Sequence, residues 1–88
     1  MTRHISPYLP ALRAAADRNG LIDEAVAIAT IAALAPDATP DRARARAEKK
    51  INEYRLGKKR RNGTRGRPML ELAYAVDGVR VFSVTAHY

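Results

Sequence analysis

The chain contains no cysteine, no tryptophan and a single phenylalanine in 88 residues. Without cysteine there can be no disulfide and no thiolate-held zinc. That absence is neutral about compartment, though it fits a reducing cytosol. Few large aromatics imply a modest core, and a chain of this length buries only about 60–65% of the surface it exposes when unfolded. A homodimer seam or a bound partner would add burial. Long apolar runs are missing too. The longest uncharged stretch, Ala25 to Pro36, has 12 residues, short of the roughly 20 needed to cross a bilayer. Met1 to Pro7 lacks the apolar run of a signal peptide. A cytoplasmic protein with no membrane role is therefore expected.

Catalytic constellations are equally scarce. The histidines, His4 and His87, sit near opposite ends with no acid at a metal-ligand spacing from either. Ser6 reads as a helix cap and Ser83 as a strand residue. No phosphate-binding glycine motif of the Walker type is present. The expectation is no enzyme activity, no metal and no cofactor.

What the chain has is positive charge in one place. Its net charge is +7. Between Arg42 and Arg67 stand 12 basic residues against Glu48 and Glu53, so that segment carries +10 and the remainder −3. Such a concentration attracts phosphate backbones, anionic membrane surfaces or acidic proteins. The membrane option is the weakest, because the basic segment lacks large apolar anchors beside its charges.

The local signals predict one domain over 1–88. A first helix covers about 7–19, with Ser6 before Pro7 as its cap. Pro10 cannot donate a helical hydrogen bond, which makes it the alternative start of the regular helix. Asn19-Gly20 stops it. Leu21-Ile22 reads as a short extended piece, and Asp23 caps a second helix over about 24–34. That helix is apolar nearly all round, hence central. Thr39-Pro40-Asp41 opens a third helix over 40–56 with a capping hydroxyl, a first-position proline and an acid in the first turn. Ala43, Ala47, Ile51 and Tyr54 fall on one arc and should face the core. Arg42, Arg46 and Lys49 adjoin them on one side, with Arg44, Glu48 and Arg55 on the other flank. The stretch 57–68 has three glycines, one proline and no apolar side chain, so it reads as a mobile solvated loop. A hairpin over 69–87 turns at Asp77-Gly78. A two-residue turn pairs Val76 with Val79, Tyr74 with Val81 and Leu72 with Ser83. It sets Leu70, Leu72, Tyr74, Val76, Val79 and Val81 on a helix-covering face. Pairing of Leu21-Ile22 with the second strand would complete a three-stranded sheet.

This order of helix, short strand, helix, turn, helix and hairpin resembles the winged helix-turn-helix family of DNA-binding domains. The resemblance spans roughly Ser6 to His87 and rests on element order and turn signals. It implies an α+β fold, a three-helix helix-turn-helix core followed by a C-terminal β-hairpin. It also implies that helix 40–56 enters the major groove. The Asp77-Gly78 tip, where a wing would contact DNA, carries almost no positive charge, so the basic loop 57–68 is expected to do that work. Within it, Arg65-Gly66-Arg67-Pro68 resembles the core of an AT-hook, which lays two arginines along a narrow A·T-rich minor groove. The candidate DNA-binding residues are Thr39, Arg42, Arg44, Arg46, Lys49 and Lys50 on the helix, with Lys58, Lys59, Arg60, Arg61, Arg65, Gly66 and Arg67 in the loop. A transcriptional regulator or an architectural, nucleoid-associated factor is the leading expectation. An RNA-binding or ribosome-associated protein and a module that blocks a partner enzyme stay open.

Overall fold

The structure is a computed structural model that describes residues 7–57 and 61–85. It is a mixed α+β fold with element order α1 (Tyr8–Ala15), β1 (Leu21–Asp23), α2 (Glu24–Ala32), α3 (Pro40–Leu56), β2 (Leu70–Val76) and β3 (Val79–Val84). The strands form one antiparallel sheet in the order β1-β3-β2.

Local chemistry accounts for most of the boundaries. The Thr39 hydroxyl accepts from Arg42 N at 3.3 Å, and Gly57 closes α3 with φ 85°. The Asp23 carboxylate accepts from Val26 N at 2.9 Å and caps α2. Pro10 lies inside α1 rather than at its start. It occupies the first turn, where backbone N–H groups lack an intrahelical partner in any case, and Ala11 N reaches Pro7 O at 3.2 Å. The Ser6 cap lies outside the described residues. Two helices are shorter than expected. α1 stops at Ala15 because Ala16 is extended and the Asp17 carboxylate takes Asn19 N and Leu21 N at 2.8 and 3.0 Å. α2 stops at Ala32, and tight turns at Leu34, Ala35 and Ala38 carry the chain to Thr39.

The core joins Leu12, Ile22, Ala27, Ile31, Ala47, Ile51, Leu70 and Phe82, with Tyr8, Ile28, Tyr54 and Val84 packed against it. Phe82 is fully buried. α2 contacts both other helices and the sheet, as its apolar character implies. One side of it is nonetheless open: Ala25, Val26 and Ala29 are exposed.

The hairpin corrects the sequence reading. Asp77 and Gly78 both have positive φ, 52° and 78°, as a type I′ turn requires. Val76–Val79, Ala75–Arg80 and Tyr74–Val81 pair as expected, but a bulge between Leu72 and Tyr74 then shifts the register, so Leu72 meets Phe82 and Glu71 meets Ser83. Cross-strand partners share a face, and one extra residue reverses the alternation. Leu70, Leu72, Phe82 and Val84 therefore lie on the helix side. Tyr74, Val76, Val79 and Val81 lie on the outer side, where the first three are 48%, 54% and 44% exposed. Leu72 shares the face of Phe82 yet stays half-exposed on the edge strand. β1 pairs with β3 as expected, Ile22 opposite Phe82.

The described part of the segment after α3 makes contacts that its composition does not predict. Gly57 is buried, and a Cβ there would collide with the Gly66 carbonyl oxygen. Met69 N donates to Tyr54 O at 2.9 Å, and Thr85 N to Met69 O at 3.0 Å. The loop is thereby tied to the end of α3 and to the residue after β3.

Gly57 and Gly63 share φ 85°, but nothing lies within 4 Å of a Cβ at Gly63. Gly63→Ala should cost about 1 kcal/mol of conformational strain, and Gly57→Ala at least about 2–3 kcal/mol. Urea denaturation of both variants measures the difference; equal losses would mean the Gly57–Gly66 packing is absent in solution.

Candidate nucleic-acid interface

α3 docks by a narrow seam. Ala43, Ala47 and Ile51 are buried and Tyr54 is partly so. The seam fixes the helix's rotation, and with it the direction of each of its six cations.

Those cations divide into two sets. Arg44 Nε pairs with Glu48 Oε1 at 3.1 Å, and Lys50 Nζ with Glu53 Oε2 at 3.2 Å. Arg55 donates to Asn52 Oδ1 at 3.2 Å, and its guanidinium lies 5.9 Å from the Phe82 ring centroid. Arg42, Arg46 and Lys49 are exposed, and among the described residues no carboxylate lies within ion-pair distance of them. Their spacing is i, i+4, i+7, which makes one line along a helix face. Arg42 and Arg46 are like charges one turn apart, an arrangement that costs about 0.2–0.5 kcal/mol. The remaining candidate on the helix, Thr39, spends its oxygen lone pair on the cap but keeps its hydroxyl proton to donate.

The loop extends the positive surface around the C-terminal end of α3. Arg61, Arg65 and Arg67 are exposed. Asn62 Oδ1 accepts from Thr64 N at 3.1 Å and from Thr64 Oγ1 at 2.6 Å, which shapes a local turn. Lys58, Lys59 and Arg60 lie outside the described residues. The Arg65-Gly66-Arg67-Pro68 core has internal work. Arg65 Nη1 donates to Gly57 O at 3.1 Å, Gly66 packs its backbone on Gly57, and Pro68 O accepts from Thr85 Oγ1 at 3.0 Å. An arginine that bonds the last carbonyls of a helix is a C-terminal cap aided by the dipole. For Arg65 and Gly66 to lie in a minor groove these contacts must be released; Arg67 needs no such change.

Comparison with protein-family models, curated proteins and solved structures returned no match. The residues alone therefore carry the functional argument. Two further surfaces bear on it. Arg80, bonded to Glu24 and 5.4 Å from the Phe82 centroid, ties β3 to α2, a role the sequence reading did not assign. A cleft lined by Tyr8, Arg46, Lys49, Lys50 and Glu53 opens beside the cationic line. Neither role is visible without the fold, because each joins residues over 35 positions apart. Among the described residues no cluster of three or more His, Asp or Glu is placed to hold a metal, and no helix is long and apolar enough to cross a membrane.

If Arg65 caps the helix, Arg65→Ala should lower stability by about 1 kcal/mol in the absence of any ligand. Arg67→Ala should change it by less than about 0.5 kcal/mol. Thermal melts of the two variants provide the check, and identical behaviour would contradict the capping role.

Proposed function

We propose that this chain binds DNA, with α3 as the recognition element and the loop 57–68 on the flanking backbone. The observation that carries the reading is the division among the α3 cations. Those off one helical line are neutralised or occupied internally, and those on it are exposed and mutually repulsive. The two glutamates pair at ordinary helical spacing and leave one line of cations without a carboxylate, and a polyanion lying along Arg42, Arg46 and Lys49 relieves their repulsion. A helix fits the major groove, where arginine can bond guanine through two hydrogen bonds. Arginines and lysines that miss base edges still bond phosphates and set the register.

The winged helix-turn-helix resemblance belongs to this proposal. The element order and the β1-β3-β2 sheet are compatible with it. The interval between α2 and α3, seven residues long, exceeds the three or four of a tight helix-turn-helix. On this reading the hairpin tip contributes little to binding, because Arg80 is held by Glu24 and the tip itself presents Asp77. The exposed cations of the segment, Arg42, Arg46 and Lys49 with Arg61, Arg65 and Arg67, act as one electrostatic surface, and a role in transcription or chromosome architecture is the setting we propose for it.

The test is duplex binding over a salt series. The wild-type chain should show a steep negative slope of log affinity against log salt, on the order of 6–10 phosphate contacts. Arg42→Gln, Arg46→Gln and Lys49→Gln combined should reduce that slope by about 2–3 while leaving stability within about 0.5 kcal/mol of wild type. Weak, salt-independent binding by the wild type refutes the proposal, and preferential competition by structured RNA redirects it to RNA.

A further inference from the structure

The cleft beside the cationic line has a composition the recognition helix alone does not explain. It has a volume of 370 Å³ and is lined by Tyr8 from α1 and by Arg46, Lys49, Lys50 and Glu53 from α3. Three cations face one carboxylate. Lys50 is the least exposed of them, and its ammonium stands 5.4 Å from the Tyr8 ring centroid and 6.0 Å from that of Tyr54. A lysine held between two rings has lost much of its rotamer freedom before any ligand arrives, which favours binding. Tyr8, the first residue of α1, is the part of that helix that lines the cleft. Arg46 and Lys49 belong to both the cleft and the exposed line.

We propose that this cleft is a phosphodiester-binding notch in which Lys50, positioned by Tyr8 and Tyr54, grips one backbone phosphate of the nucleic acid that lies on Arg42, Arg46 and Lys49. The inference rests on the DNA-binding reading and adds to it a fixed anchor outside the groove-reading face. Glu53 is its internal competitor: its carboxylate, 3.2 Å from Lys50 Nζ, occupies the ammonium until a phosphate displaces it. A phosphate anchor sets register and carries no sequence preference.

Two substitutions with opposite expected signs test it. Lys50→Gln should weaken duplex binding about tenfold on every sequence and lower the salt slope by about 1. Glu53→Gln removes the competing charge and should tighten binding up to about fivefold, a gain that misfolding cannot imitate. The Tyr8 ring resonances should shift when duplex is added. A shift with inorganic phosphate but none with duplex would overturn the assignment to a nucleic-acid backbone. If the wild type binds duplex with a steep salt slope and both variants stay within about twofold of it, the notch is wrong and DNA binding stands. If the wild type shows no salt-dependent binding, both fall.

Discussion

The rotation of α3 is the constraint on which the rest depends. A helix with this much charge has little cause to fold alone, since short helices are marginal in water without a packed face. What holds it is the seam of Ala43, Ala47, Ile51 and Tyr54. Two of those four are alanines, so the seam is narrow and a small rotation would bury a cation. The same four residues therefore stabilise the helix and aim Arg42, Arg46 and Lys49 outward. Thr39 and Gly57 set where the helix starts and stops, and Gly57 also brings the basic loop against its end.

A second constraint sits at Phe82. The sole phenylalanine is fully enclosed, and two guanidiniums, of Arg55 and Arg80, approach its ring. Cation–ring contact of this kind contributes about 0.5–1 kcal/mol where solvent has partial access. It also takes two arginines out of the pool available to a polyanion. The positive surface is thus smaller and better placed than the count of basic residues implies.

Much of this was legible in the sequence, and for identifiable reasons. The bounds of α3 follow from Thr39-Pro40 and Gly57, the hairpin turn from Asp77-Gly78, and the sheet's third strand from Leu21-Ile22. Each of these signals is local. The failures concern contacts between distant residues. Nothing around Ala73 marks a bulge, so the alternation in Leu70 to Val76 predicts one continuous face that includes Tyr74, Val76 and Val79, which the bulge turns outward. The composition of 57–68 shows no apolar residue and therefore predicts no packing. Its described residues nonetheless pack, through one glycine backbone lying on another, Gly57 on Gly66, and through Arg65 bonding a helix-terminal carbonyl. On α3, helical spacing located the cations. Which of them keep an internal partner depended on side-chain geometry, and the part of Tyr8 on Lys50 of α3 standing over its ring.

In the proposed complex DNA lies along one side of α3 and the loop beside it, and the apolar outer face of the hairpin stays out of contact. A residue-by-residue NMR shift map of the chain titrated with duplex DNA tests that division most directly. The largest changes are expected at Arg42, Arg46, Lys49 and Arg67, with Tyr74, Val76 and Val79 unmoved. Perturbation centred on the hairpin's outer face, with the α3 line unaffected, would contradict that arrangement.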